Sequence, residues 1–451
     1  MEFLKNQIKK IFPEKIEVFP SITWEVINPL SPAQYQYLVE KRIPIVKIII
    51  SNPWNKSIEN IQASIRVQDI SDWIMSSCKK IDPKNLVTLK FTPLLQQEKL
   101  YSCEERNVNF EIKISFEDPR GKVRNYSDTK IVRILAKNDM IWSIKQGEFE
   151  EDFSQLIAAW VTPKDDEIQS LIHESANNVN AKAMRGLVGY QETEYISEMK
   201  EKIKLPAKKY QSIKIHLRQG CQISSILTNV DGGSGNDVNF ALLNPEDMVI
   251  FERALRLSSQ FAIPRVQSGY RINFTAPVEN DYFLLFDNHF STFADKNIGV
   301  SINIISPITH GEIVKYQLKA IYETIQQKGY NYVNTPISYA PGISQRVKRP
   351  SETIRLRGGN CIDGVVLFAS CFESLILDTY IILLPQIGHS IVAVREWKDS
   401  NQFIFLETTF TGSKTFEESI RIGYETLKKY ENGAKWIGIT EARNKRIMPL
   451  T

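Results

Sequence analysis

Residues 357–375 read Arg357-Gly358-Gly359-Asn360-Cys361-Ile362-Asp363-Gly364-Val365-Val366-Leu367-Phe368-Ala369-Ser370-Cys371-Phe372-Glu373-Ser374-Leu375. Two glycines permit a tight turn, Asn360 is a good N-cap, and the spacing predicts a helix that begins at or next to Cys361. Val365, Leu367, Phe368, Phe372 and Leu375 give that helix a broad apolar surface, so it is expected to be central and rigid. A thiol at a helix N-terminus faces the positive end of the dipole, a setting that favours the nucleophilic thiolate. Cys371 lies further along the same helix and reads as a small core residue. Asp363, at the third helical position, reads as a capping or dipole partner rather than a catalytic acid.

Downstream, Gly388-His389-Ser390 opens the apolar run Ile391–Val394, and Phe403-Ile-Phe-Leu-Glu407 reads as a further strand with an acid at its end. Adjacent strands would bring Glu407 within reach of His389. Cys361, His389 and Glu407 then supply nucleophile, base and orienting carboxylate in the chain order Cys, His, acid. A lone histidine at such a position is as often a satisfied core residue, so the argument rests on all three together. Gln345 is the candidate for a second oxyanion donor beside the Cys361 backbone N–H, the alternative being a loop cap. Arg346, Lys348 and Arg349 could meet acidic substrate or simply face solvent.

This block resembles the transglutaminase-like superfamily, whose pattern is a Gly-rich turn, a Cys opening a helix, a His on the next strand and an Asp followed by Thr on another. The passages that carry the resemblance are GGNCIDGVVLFAS (358–370), GHSIVAV (388–394) and FLETT (405–409). Flanking text is similar to a bacterial, cysteine-peptidase-like subgroup: Asn138-Asp-Met-Ile-Trp142, Ala159-Trp-Val-Thr-Pro163, Gln345-Arg-Val-Lys-Arg-Pro350 and Glu441-Ala-Arg-Asn-Lys-Arg-Ile-Met-Pro449. The resemblance covers residues 138–196 and 307–451. It implies a papain/transglutaminase-like catalytic core in which Cys361, His389 and Glu407 form the triad. Glu407 departs from the usual Asp, and its extra methylene requires His389 to sit farther away or tilt.

The split in that coverage points to an insertion. In relatives without one, a passage like Gly189-Tyr190-Gln191 leads soon into one like Gln317-Leu-Lys-Ala-Ile-Tyr322. Here residues 197–306 intervene, with strand-like runs from Tyr210 to Ile305. Within them Asp237-Val-Asn-Phe240 and the passage from Tyr282 to Lys296 resemble a GOLD-type β-sandwich, which implies an interaction module. Asp231-Gly-Gly-Ser-Gly235 lacks the ending of a phosphate loop and reads as a turn. Lys200, Lys202, Lys204, Lys208 and Lys209 read as a solvated linker, with an anionic partner as the alternative.

Before residue 138, short β-branched runs separated by turn clusters (Ile43–Ser51, Ile61–Val67, Leu86–Phe91, Val108–Phe116, Lys130–Leu135) predict an immunoglobulin-like β-sandwich over 16–137. Residues 1–15 are expected to be a separate N-terminal segment. The expected fold class is therefore α+β, a catalytic core over 138–196 and 307–451 with two all-β sandwich domains. At 451 residues the chain has room for about three domains of roughly 150 residues.

Composition narrows the rest. Lys plus Arg number 56 against 52 Asp plus Glu, and this dispersed excess gives no footprint for nucleic acid. Five cysteines without a CxxC pair argue against a disulfide framework or zinc ribbon and for a reducing, cytoplasmic setting. No uninterrupted run of 18 apolar residues is present, so no membrane span is expected. His173, His216, His289 and His310 have no second ligand at metal spacing, so neither metal nor other cofactor is expected. The expected chemistry is acyl transfer on protein or peptide substrates, by proteolysis or amide hydrolysis. Crosslinking of protein glutamine to amines, and an inactive scaffold whose β-sandwiches bind partners, are the alternatives.

Overall fold

The computed structural model describes residues 19–450 apart from 101, 103, 147–148, 256–261 and 336; the expected N-terminal segment 1–15 and Cys103 lie outside them. The fold is mixed α+β, with antiparallel sheets in β-sandwich-like pairs and helices concentrated in the later part of the chain.

The first pair forms where alternating sequences can bury one side of each strand. Strands β1 (Ser21–Val26), β2 (Val46–Ser51) and β5 (Leu86–Phe91) make one sheet. The other holds β3 (Ile58–Val67), β4 (Ile74–Ile81), β6 (Arg106–Glu117) and β7 (Val123–Ile134) in the order β4-β3-β6-β7. In β2, Val46, Ile48 and Ile50 alternate inward, and β6 does the same with Phe110, Ile112, Ile114 and Phe116. The strands predicted from β-branched runs are all present. Strands β1 and β4 and helix α1 (Pro32–Glu40) were missed: β4 exposes polar Ser, Lys and Cys side chains, and α1 is set by a Ser31–Gln34 capping box with little apolar patterning.

A second pair lies between Glu194 and Pro307. Strands β11 (Glu194–Leu205), β13 (Gln222–Asp231), β16 (Arg271–Thr275) and β18 (Lys296–Pro307) face β12 (Tyr210–Leu217), β14 (Asp237–Leu243), β15 (Ile263–Gln267) and β17 (Asn280–Asp287) across a shared apolar cluster. The expected lysine linker is instead largely strand. Lys200, Lys202 and Lys204 share the exposed face of β11, while Ile203 and Leu205 point inward. Charge density hid that alternation. Glu194 pairs with Pro307, so this segment leaves and rejoins the chain at neighbouring points.

The remaining elements centre on one sheet, β24 (Phe403–Leu406), β23 (His389–Arg395), β22 (Thr379–Leu384) and β25 (Lys435–Gly438), antiparallel throughout. Ile381, Leu383, Val392 and Val394 pack towards the helix that opens at Cys361 (Cys361–Ser374). Ile382, Leu384, Ile391 and Ala393 pack on the opposite side with Leu427 of the helix Phe416–Tyr430. Burial on both faces explains why β22 and β23 read as continuous apolar runs instead of alternating ones. Among the described residues, no helix is long and apolar enough to cross a membrane.

The Cys361–Ser374 helix is buried from Cys361 through Phe372, enclosed by the sheet and by the helices Asp166–Ser175 and Pro350–Leu356. Near its C-terminal end Glu373 receives two bonds from Arg443, each 2.9 Å, and that guanidinium also donates to the carbonyls of Ala158, Val161 and Ile447. Thr162 N–H donates to Ser370 Oγ at 2.9 Å. The helix is thus tied down along its length.

Gly423 lies where the helix Phe416–Tyr430 crosses β24. A Cβ there would sit 2.9 Å from the Phe405 carbonyl oxygen and 3.1 Å from Glu407 N. These are backbone atoms that cannot swing aside. Gly423→Ala should lower the urea midpoint, because overpacking of about 1–3 kcal/mol exceeds the roughly 1 kcal/mol gained in helix propensity. A raised midpoint would show that this contact can relax.

Candidate functional site

Asn360 caps the Cys361–Ser374 helix in an extended conformation; its side chain accepts from Asp363 N–H, and the Asp363 carboxylate returns a bond from Asn360 N–H. That reciprocal box places Cys361 at the first helical position, where the backbone N–H has no partner within the helix. Asp363 is the capping partner expected from the sequence. Gly364 lets the helix approach the turn after β24, since a Cβ there would meet Thr408 Oγ1 at 2.8 Å and Tyr330 Oη at 2.9 Å.

The structure brings Cys361, His389 and Glu407 together. Pairing of β23 with β24 sets Val392 opposite Leu406, so His389 and Glu407 emerge at the same end of the sheet. His389 Nε2 and Glu407 Oε2 are 2.7 Å apart. Nδ1 is not engaged by Glu407, and Cys361 lies near enough to the same imidazole to raise its pKa. Glu407 caps a short 3-10 turn, and its Oε1 accepts from Thr409 N–H at 3.0 Å and from Thr409 Oγ1 at 2.7 Å. The longer acid is therefore held at both oxygens. Cys361 is 1% and Glu407 2% exposed, while the His389 side chain retains 18%.

Electrostatics favour a charged imidazole. Burial alone would pull His389 down, but its interactions with Cys361 and Glu407, through hydrogen bonding and charge, outweigh it and lift the pKa from 6.5 to about 10. Cys371, by contrast, is wholly buried without a charged partner, and desolvation pushes its thiol up. It is a core residue, as expected.

Gln345 lies on β20 (Ser344–Arg346), which pairs with β8 (Asp139–Ile141). It is 8% exposed, and its Oε1 accepts from the Trp142 indole at 3.0 Å. An indole N–H can only donate, so the amide orientation is fixed, with Nε2 on the opposite side. That Nε2 is buried without a hydrogen-bond partner.

Sequence reasoning missed several neighbours. Tyr339 packs against Trp142 with the rings tilted by 53° and their centroids 4.8 Å apart, and donates from its hydroxyl to the His389 carbonyl at 3.0 Å. Burial, and then the neighbouring Cys361, hold its phenol well above the usual 10, so it remains a neutral donor. Tyr330 and Tyr332 are also close enough to Cys361 for its charge to raise their pKa values, though burial is the larger cause in each. Their stretch carries prolines and no apolar periodicity; its aromatic content was the available signal. Arg346 pairs with Glu352 at 3.2 Å and Lys348 with Asp363 at 2.8 Å, so both have protein partners. Among the described residues no group of three His, Cys, Asp or Glu side chains is placed to hold a metal ion.

A folded-state pKa above the ordinary value means that the His389 charge stabilises the fold fully below about pH 6.5, and that this contribution is lost as pH rises through about 10. In imidazole-detected NMR, His389 should stay protonated from pH 6.5 to 9 and titrate near 10. Replacement by Gln should remove the corresponding decline in stability. Titration near 6.5 would mean that the two flanking contacts are not made in solution.

No known family model matches the chain, and no curated protein does either. Among solved structures it is similar to PliG, a periplasmic inhibitor of g-type lysozyme, from Aeromonas hydrophila (11% identity, 25% of this chain and 87% of that one, TM-score 0.17). It is similar also to Salmonella Typhimurium PliG (14% identity, 24% and 86%, TM-score 0.15). Carbohydrate-binding modules of the β-sandwich superfamily match at 7% identity over 64% of this chain and 96% of theirs, with a TM-score of 0.15. Likenesses this faint carry no argument about fold or activity.

Proposed function

We propose that this protein is a cysteine-dependent acyl transferase with a papain/transglutaminase-like catalytic core, acting on peptide or carboxamide substrates as a peptidase or amidase. The observation that carries the reading is the line of contacts from the Cys361 thiol through His389 to Glu407, with the imidazole raised to about 10. A histidine in that state carries a positive charge beside the thiol at neutral pH and has a proton to give to a leaving amine.

The chemistry follows from the donors and acceptors. The Cys361 thiolate attacks the substrate carbonyl carbon, forming a C–S bond as the C=O electrons move onto oxygen. That oxyanion meets the Cys361 backbone N–H, which has no partner within its helix, and Gln345 Nε2, which is buried without a hydrogen-bond partner. His389 gives its proton to the departing amine as the C–N bond breaks, leaving a thioester. It then takes a proton from water, whose oxygen attacks the thioester, and the thiolate leaves with the carboxylic acid as product. Glu407 keeps the imidazole in one orientation throughout. An amine entering in place of water would give transglutaminase chemistry at the same site. The two sandwich-like units, 16–137 and 197–306, then serve to recruit substrate or partner proteins, in a cytoplasmic setting.

Cys361 is 1% exposed and Tyr330, Tyr332 and Tyr339 lie close to it, so acylation requires local displacement of side chains around the thiol.

Iodoacetamide at pH 6 should alkylate Cys361 faster than Cys78 or Cys371, and His389→Ala should abolish the difference. Equal rates at all three, unchanged by the histidine variant, would leave only a scaffold. Mass spectrometry of candidate proteins incubated with wild type, against Cys361→Ala, should reveal new termini. Amine-linked products without new termini would assign transamidation instead. Gln345→Ala should slow acylation by about 100-fold while leaving alkylation unchanged, because alkylation develops no oxyanion.

A further inference from the structure

Asp363 is 1% exposed, yet its carboxylate is engaged on both oxygens by two separate parts of the chain. Oδ2 accepts from Asn360 N–H at 3.1 Å, the turn that presents Cys361. Oδ1 accepts from Lys348 N–H at 2.8 Å, and Oδ2 also meets Lys348 Nζ at 2.8 Å. Lys348 lies three residues beyond Gln345, on the segment that leaves β20. A Cβ on Gly359 would sit 2.5 Å from Asp363 Cβ, so the carboxylate is backed against the turn with no room to retreat.

Capping accounts for one of these contacts only. A helix N-terminus needs side-chain acceptors for its leading donors, and the Asn360–Asp363 box supplies them with one carboxylate bond. The two bonds to Lys348 tie the segment carrying the Gln345 amide to the first turn of the nucleophile helix. On its other side the amide is set by Trp142, and Trp160 Nε1 fixes the Val347 carbonyl at 3.1 Å. We infer that Asp363, through Lys348, is a positioning residue that sets the separation between the Gln345 amide donor and the Cys361 thiol. The inference rests on the acyl-transfer reading of the site. It assigns Lys348 to the protein's own architecture and not to substrate charge.

The test separates thiol reactivity from oxyanion stabilisation. Iodoacetamide alkylation of Cys361 depends on the thiolate alone, whereas acylation by p-nitrophenyl acetate also needs the oxyanion donors. In Asp363→Asn, alkylation should stay within twofold of wild type while acylation falls at least tenfold. Lys348→Met, which keeps the backbone bond and alters only a partly exposed side chain, should show the same split with a fall of about threefold to tenfold. Combined with Gln345→Ala, neither variant should slow acylation further than Gln345→Ala alone, since the donor being positioned is already gone.

Equal losses in the two reactions, no loss in acylation, or full additivity with Gln345→Ala would each overturn the inference. If Asp363→Asn does not fold, Lys348→Met alone decides. A wild-type Cys361 inert to both reagents would sink the catalytic reading itself and this one with it, an outcome distinct from a reactive thiol that ignores Asp363.

Discussion

A helix buried on every side has nowhere to hide its first turn. Water satisfies the leading N–H groups of a surface helix, but Cys361 through Phe372 are all shielded, so side chains must do it. Asn360 and Asp363 take that role, and the capping geometry fixes where Cys361 begins the helix. The same burial demands anchors elsewhere. Ser370 is bonded by Thr162 N–H, and Glu373 is gripped by Arg443. Polar contacts inside a low-dielectric core are directional, so each one fixes the helix's rotation and axial position as well as its presence.

With the helix held, the His389–Glu407 pair has little freedom. Gly364 allows the helix to lie against Thr408, and Gly423 allows the Phe416–Tyr430 helix to lie against β24. The strand end carrying Glu407 is therefore confined between two close approaches. Glu is longer than Asp and has one more rotatable bond, which ought to cost precision. Thr409 removes that freedom by occupying Oε1 with two bonds, leaving Oε2 for His389. A carboxylate so buried would be expensive if unpaired, and the imidazolium supplies the pairing. The raised pKa of His389 and the tolerance of a longer acid are two results of one arrangement.

Much of this was legible in the sequence because the relevant signals are local. The Gly-Gly-Asn-Cys turn, its capping residues and the apolar run after it specify a buried helix from chemistry close at hand. Strand edges around His389 and Glu407 follow from short apolar runs. The quoted flanking passages also converge in space: Trp142 on Gln345, Trp160 on the Val347 carbonyl, Arg443 on Glu373. What stayed hidden depends on pairing at long range. Tyr339 and the Lys348–Asp363 contact have no periodic signature, since each is defined by a partner elsewhere in the chain. The lysine-rich strand β11 failed for another reason. Its inward positions are few, and charge on the outward positions swamped them.

The segment from Glu194 to Pro307 shows how so large an interruption leaves the site undisturbed. Its ends pair with each other, so the surrounding chain spans a short gap whatever the length between. Loop-closure entropy grows only logarithmically with length, and the ladder between β11 and β18 closes the gap with a structured stem instead of a loose loop. The join on the other side is equally tight. Gln317 accepts from the N–H groups of Val188 and Gly189, at 2.8 and 2.7 Å, and donates to the Gly189 carbonyl. The passages on either side of the interruption are thereby bonded directly to each other. The elements that carry Gln345, Cys361, His389 and Glu407 all follow the interruption, while Trp142, Trp160 and Thr162 precede it. Since those earlier residues hold the Gln345 segment and the Cys361 helix, the join at Gln317 belongs to the framework that gives the candidate site its geometry.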